Sequence, residues 1–161
     1  MLSSKMLAAS SRSRLRITRD IIYSLLSETN LQGWIYIAEL VVKQMLAQNT
    51  GASVTCIASA TVEHPIEGVG ASLPRITKGG LEAITRGLAR EYVKDVIAFN
   101  ALAPGVLSTS MTPGQYLKSR SPMGEIPEGD DIVQVVVYLT EARQVTGEVL
   151  QVDAGAHNRK R

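Results

Sequence analysis

The stretch from Ala71 to Gly105 leaves this chain few folds to choose from. Leu73, Ile76, Ile84 and Leu88 recur near the 3.6-residue period, which predicts a helix with an apolar face. Gly79, Ala83 and Gly87 fall on every fourth position, a stripe that lets another backbone come close. Glycine costs about 1 kcal/mol in a helix interior, so the pair Gly79-Gly80 implies a packing reason. Pro74 belongs to the first helical turn, where its missing N–H costs little. It disfavours the α region at Leu73, so the helix is predicted to begin at about Pro74. After Asp95 the run Val96-Ile97-Ala98-Phe99-Asn100 reads as a buried strand, and Pro104-Gly105 stops it with a turn.

The rest of the chain repeats this alternation. From Asp20 to Gln48, Leu31, Trp34, Ile35, Ala38, Val41, Val42 and Met45 follow helical spacing, and Asn49-Thr50-Gly51 is a helix stop. Ser53 to Ile57 reads as a strand, and Ala58 to Gly70 as a loop. Residues 106–127 have weak periodicity and read as a long loop with room for one short helix. Pro127 with Glu128, Asp130 and Asp131 starts another helix, whose face is Ile132, Val135, Val136 and Leu139. Glu148 to Asp153 is a last strand. Strands alternating with helices imply an α/β fold with a parallel sheet and right-handed crossovers.

At 161 residues one domain is expected, spanning 21–157. Residues 1–20 read as a basic, disordered N-terminal segment, and 158–161 as a basic tail. The serines and arginines of the first 19 residues also suit a mitochondrial transit peptide. The net charge of +2 gives no field that calls for nucleic acid. No apolar run approaches the roughly 18 residues of a membrane span. The single cysteine, Cys56, makes neither an internal disulfide nor a cysteine zinc site, and no other residues have metal spacing. A reducing compartment follows, cytoplasmic in the first reading and mitochondrial in the second.

Five short motifs then occur in order: Asn30-Leu31-Gln32-Gly33; Ile57-Ala58-Ser59; Lys78 opening an Ala/Gly-rich helix; Asn100-Ala101-Leu102-Ala103-Pro104-Gly105; and Thr146-Gly147-Glu148 through Val152-Asp153. Together they resemble the short-chain dehydrogenase/reductase family over about Ser27 to Ala156. In that family this is the C-terminal part of a doubly wound nucleotide-binding domain. The expected architecture is thus a partial doubly wound, Rossmann-like parallel sheet with flanking helices.

Two departures accompany the resemblance. No glycine-rich turn of the kind that holds a dinucleotide pyrophosphate is present, and Gly68-Val69-Gly70 is only a loop fragment. The family's active-site tyrosine stands four residues before the lysine; here that position is Pro74, which has no ionisable group.

The resemblance implies roles for the residues that remain. Ser59 would hydrogen-bond a substrate carbonyl oxygen, with Thr61 as a second candidate; the alternative is a turn serine. Lys78 would hold the nicotinamide ribose, or else is a solvated lysine. Asn30 would support a water near that lysine, or else is a helix-kink amide. Pro104, Gly105 and Thr109 match a P-G-x-x-x-T segment that runs beside the nicotinamide; the alternative is a strand-to-loop turn. Apart from the resemblance, His64, in the loop between strand and helix, is a candidate to replace the lost acid, and the alternative is a surface loop histidine.

Two functions follow. One is an oxidoreductase transferring hydride between NAD or NADP and a small carbonyl or alcohol substrate, incomplete as this chain and with weak cofactor binding of its own. The other is a non-catalytic derivative that keeps only a homo-oligomerisation surface on helices 30–46 and 74–92.

Overall fold

A computed structural model describes residues 20–66, 70–109 and 121–158. The basic start, Gly68-Val69, the middle of the 106–127 loop with Tyr116, and the tail beyond Asn158 lie outside the described residues.

Three strands form one parallel sheet in the order β1 (Ala52–Ile57), β2 (Ile97–Pro104), β3 (Val149–Val152). Ala52 lies opposite Ile97 and Ile57 opposite Leu102, while Ala101 to Pro104 run beside Val149 to Val152. Helices α1 (Asp20–Leu26) and α2 (Gly33–Gln48) precede β1; α3 (Ser72–Glu91) links β1 to β2; α4 (Gly129–Glu141) precedes β3. β2 is central and apolar but for the buried Asn100, as suits a strand covered on both faces: Phe99, Ala101, Leu102 and Ala103 are buried. On one face Cys56, Ala101 and Ala103 pack with Leu81, Leu31 and Trp34, and Ile97 and Phe99 pack with Val42 and Ala89. On the other face Ser53 Oγ donates to the Leu139 carbonyl of α4 at 3.1 Å.

The expected element types and order hold, with instructive differences. The segment 20–48 is not one helix. A π-helical turn, Ser27–Gln32, separates α1 from α2. α3 begins at Ser72 rather than Pro74, with Leu73 inside it and buried. Proline at the third position of a helix removes an N–H that had no intrahelical acceptor. The buried stripe of α3 is Leu73, Thr77, Leu81, Thr85 and Ala89, at intervals of four, and Ile76 is 53% exposed. Among the described residues, no neighbouring backbone comes close to Gly79 or Gly87 of the stripe Gly79–Ala83–Gly87. A Cβ on Gly87 would meet nothing within 4 Å, and one on Gly79 would meet the side chain of Val62. The close approach is at Gly80, where a Cβ would lie 2.7 Å from Leu31 Cδ2. β2 begins at Ile97, because Val96 turns to φ 58° in the left-handed region, and runs on to Pro104. α4 starts as its acidic beginning predicts: Glu128 caps it, and its amide donates to Asp131 Oδ2 at 2.8 Å, a reciprocal capping box.

Candidate functional site

The free side of β1 opens on a cleft of about 380 Å³ lined by Thr29, Asn30, Trp34 and Ile37 from the π turn and α2, by Thr55 to Ile57, and by Lys78 and Leu81 from α3. Lys78 is half-buried, and its Nζ donates to the Ile57 carbonyl at 2.7 Å. Burial pushes its pKa down from the usual lysine range, opposed by the Cys56 thiol. One N–H of the ammonium is thereby fixed, and the others remain for an oxygen in the cleft. Cys56 is the other ionisable side chain in the lining. Its Sγ lies 3.1 Å from Thr85 Oγ1, and burial pushes its thiol pKa up, eased by that hydrogen bond.

Asn30 sits in the π turn, a distortion frequent at functional sites. Its amide donates to Thr77 Oγ1 at 3.0 Å, and Thr77 in turn donates to the Pro74 carbonyl at 3.1 Å. Asn30, Thr77 and Pro74 thus form one hydrogen-bonded chain, and Lys78, next to Thr77 in sequence, is anchored separately to the end of β1. Pro74 supplies that group with an acceptor carbonyl and no proton donor.

Ser59 leaves β1 two residues after Ile57. Its Oγ lies 2.9 Å from Thr61 Oγ1 and accepts the Thr61 amide at 3.3 Å, while its carbonyl accepts the Val62 amide at 3.0 Å. That is a serine-stabilised turn, and both hydroxyls of the pair lie in it. Pro104-Gly105 stands beside the same exit: the Ala60 amide donates to the Pro104 carbonyl at 2.9 Å, and the Gly105 amide to the Val152 carbonyl at 2.9 Å. A Cβ on Gly105 would lie 2.5 Å from Asp153 Cβ and 2.8 Å from Asp153 Cα, so this close crossing of strand ends requires glycine. Thr109 is exposed, at the edge of the segment 110–120. His64 is near His157, with ring centroids 5.7 Å apart, and near Glu63 at 3.8 Å.

Two residues of the sequence motifs, Asn100 and Asp153, hold the strand ends in place. Asn100 is buried; its Nδ2 donates to the Val145 carbonyl at 2.9 Å and its Oδ1 accepts the Glu148 amide at 3.1 Å, which fixes the turn into β3. Asp153 accepts from the Gly155 and His157 amides and lies 2.8 Å from His157 Nδ1. An asparagine inside an apolar strand, and an aspartate at a strand end followed by glycine, are the signals that mark them.

The residues present suit the ribose end of a dinucleotide: a desolvated lysine with free donors in an open cleft. They do not suit its pyrophosphate, for which no glycine-rich turn exists in the 161 residues. Among the described residues, no group of three or more His, Cys, Asp or Glu side chains is placed to hold a metal, and no helix is long and apolar enough to cross a membrane.

Comparison with known proteins agrees with this geometry. The family model described as enoyl-(acyl carrier protein) reductase matches residues 7–157. The 3-oxoacyl-[acyl-carrier-protein] reductase of Bos taurus is 35% identical over 141 residues, covering 86% of this chain and 57% of the relative. Carbonyl reductase family member 4 of Xenopus tropicalis is 35% identical over 144 residues, covering 88% of this chain and 59% of the relative. The chain therefore spans less than two thirds of these relatives. Among solved structures, an acetoin dehydrogenase from Enterobacter cloacae superposes with a TM-score of 0.83 at 23% identity, covering 93% of this chain and 61% of that one. A gluconate 5-dehydrogenase from Burkholderia cenocepacia, in complex with NADP and tartrate, gives 0.83 at 23% identity, covering 92% and 61%. These superpositions establish the doubly wound fold.

Proposed function

Because the chain belongs to the short-chain dehydrogenase/reductase family, we propose that it forms the lysine-bearing part of an NAD(P)-dependent oxidoreductase acting on a small carbonyl or alcohol. The observation that carries this reading is that Asn30, held by Thr77, and Lys78, held by the Ile57 carbonyl, line one cleft beside β1. The nicotinamide, when bound, supplies or accepts the hydride. Lys78 holds the ribose hydroxyls with the donors left free by the Ile57 carbonyl. Asn30, fixed by Thr77, orients a water beside that ammonium. Ser59 or Thr61 donates to the substrate oxygen, and Pro104, Gly105 and Thr109 line the path beside the nicotinamide. A positioned acid or base contributes roughly 10²–10⁴ in rate, and Pro74 withholds it. Together with the lack of a pyrophosphate turn, this leaves the chain alone with no more than millimolar affinity for either nucleotide and no turnover.

The test is a chimera. The opening portion of the Bos taurus reductase is joined ahead of residue 27, with Pro74→Tyr. NADPH or NADH consumption with a small ketone is expected only when both changes are present, and Lys78→Met should abolish it. A chimera that binds nucleotide tightly but turns over no carbonyl with Tyr at position 74 would count against the reading.

A second role rests on Ile35 and Ala83, exposed on α2 and α3. These helices, over residues 30–46 and 74–92, form the homo-oligomer seam and need no cofactor to do so. A lone buried cysteine supports a reducing compartment, the cytoplasm with the mitochondrion as the alternative.

A further inference from the structure

His64 and His157, far apart in sequence, come together where the loop after β1 passes the end of β3. Their ring centroids lie 5.7 Å apart, with the rings tilted by 42°. His157 is held by a buried carboxylate: its Nδ1 lies 2.8 Å from Asp153 Oδ1, and the Asp153 side chain is 2% exposed. Asp153 is itself fixed, since Oδ1 accepts the Gly155 amide at 3.1 Å and Oδ2 accepts the His157 amide at 2.8 Å. A carboxylate accepts, so in the neutral ring Nδ1 carries the proton and Nε2 the lone pair. This is the carboxylate support that orients metal-binding histidines. The Nε2 lone pair meets the side-chain amide of Asn158 at 2.9 Å, and Asn158 is exposed and able to turn away. His64 is placed by its own amide, which donates to the Ala60 carbonyl at 3.0 Å. Its Nε2 lies 3.8 Å from Glu63 Oε2, beyond hydrogen-bonding distance. Glu63 is engaged elsewhere: Oε2 accepts Gln151 Nε2 at 3.4 Å, and Oε1 lies 3.7 Å from Arg86.

We propose that His64 and His157 form a two-imidazole site for a borderline divalent metal ion, Zn²⁺ or Cu²⁺, with water at its remaining positions. Bonds of about 2.0–2.1 Å from zinc to each imidazole nitrogen put the centroids of two rings on one tetrahedral ion roughly 5 Å apart. The observed separation closes to that with a small rotation of two partly exposed side chains. No third His, Cys, Asp or Glu is placed to join them among the described residues, which agrees with Glu63 being held by Gln151 and Arg86. Imidazole ligands suit zinc and copper, whereas magnesium and calcium take oxygen ligands. The bound ion ties the loop that carries Ser59 and Thr61 to the end of β3. The site shares no residue with the Lys78 cleft.

Titration calorimetry of the full chain, without a histidine tag, against zinc chloride and copper(II) chloride tests this. One ion per chain is expected at micromolar concentrations, with Cu²⁺ bound more tightly than Zn²⁺. His64→Ala and His157→Ala should each weaken binding about tenfold or more. Zinc should also raise the thermal midpoint of the unsubstituted chain and leave that of His64→Ala unmoved. His64 is exposed in its loop, so His64→Ala decides the matter by itself if circular dichroism shows that His157→Ala unfolds. Binding that both variants retain overturns the proposal, as does binding that a folded variant at either position leaves unchanged. Magnesium bound as tightly as zinc overturns it too, because the ion then sits on carboxylates. So does half an ion per chain, which means a site shared between two copies, and so does the absence of any binding below millimolar concentration.

Discussion

The Asn30 amide and the Thr77 hydroxyl, 47 positions apart, meet at 3.0 Å and tie the π turn before α2 to the first turns of α3. Thr77 is fully buried, so its loss leaves the Asn30 donor unpaired. Thr77→Val is expected to lower unfolding free energy by about 1–3 kcal/mol. With Asn30→Ala as the other arm, a double-mutant cycle by urea denaturation should give a coupling of about 0.5 kcal/mol or more. Additive effects would show that the two side chains do not interact in solution.

Gly105 and Gly87 are expected to respond in opposite directions to alanine. A methyl at Gly105 runs into Asp153, whose side chain is held by the Gly155 and His157 amides and cannot step aside. Overpacking of this kind costs about 1–3 kcal/mol. At Gly87 the space is open and the backbone helical, so Gly87→Ala should stabilise by about 1 kcal/mol. Thermal unfolding midpoints that move the same way for both changes would contradict the close strand-end crossing.

The order and type of the elements were legible in the sequence because each carries its own punctuation: Asn49-Thr50-Gly51 after α2, Pro104-Gly105 after β2, Glu128 before α4. The faces were less legible. Ile76 looked buried and is exposed, whereas Thr77 and Thr85 are buried because each hydroxyl returns its proton to a carbonyl of its own helix, Pro74 and Leu81. Hydropathy cannot distinguish such a threonine from a solvated one. The close contact on α3 was not legible for a related reason: it falls at Gly80 and depends on Leu31, far away in sequence. At the candidate site Asn30 and Lys78 both line the cleft beside β1. The partners that hold them, Thr77 and the Ile57 carbonyl, are contacts between segments, which spacing alone does not reveal.

Val96 stores strain. It is β-branched, 67% exposed and held at φ 58°, a region that costs an L residue about 1–2 kcal/mol. Its main chain is still needed, since its carbonyl accepts the Ala52 amide at 3.1 Å. Val96→Asn keeps that bond and suits the left-handed conformation, so it should raise stability by about 1 kcal/mol. No gain in urea midpoint would mean that Val96 is not left-handed in solution.

Glu82 gives the fold a pH dependence. It is buried on α3, and its pKa is raised first by burial and then by Glu63, with Arg86 opposing. The folded state therefore holds this proton more tightly than the unfolded state. By linkage, stability falls as pH rises from the ordinary glutamate range through the raised folded value, and the loss is complete above it. Glu82→Gln should leave the urea midpoint little changed at the acid end of that window and raise it at neutral pH. A parallel pair of pH profiles would show that Glu82 ionises in the fold as it does in the open chain.

Ala83 is exposed on α3 near Gly87, where the surface is open, and an arginine there would project a charge from the face proposed to pack against a second copy. Ala83→Arg is expected to weaken association through α2 and α3. Light scattering coupled to size exclusion at several concentrations reads the mass directly. If Ala83→Arg leaves the mass unchanged at every concentration, α3 does not form a seam, and its exposed small residues merely face solvent.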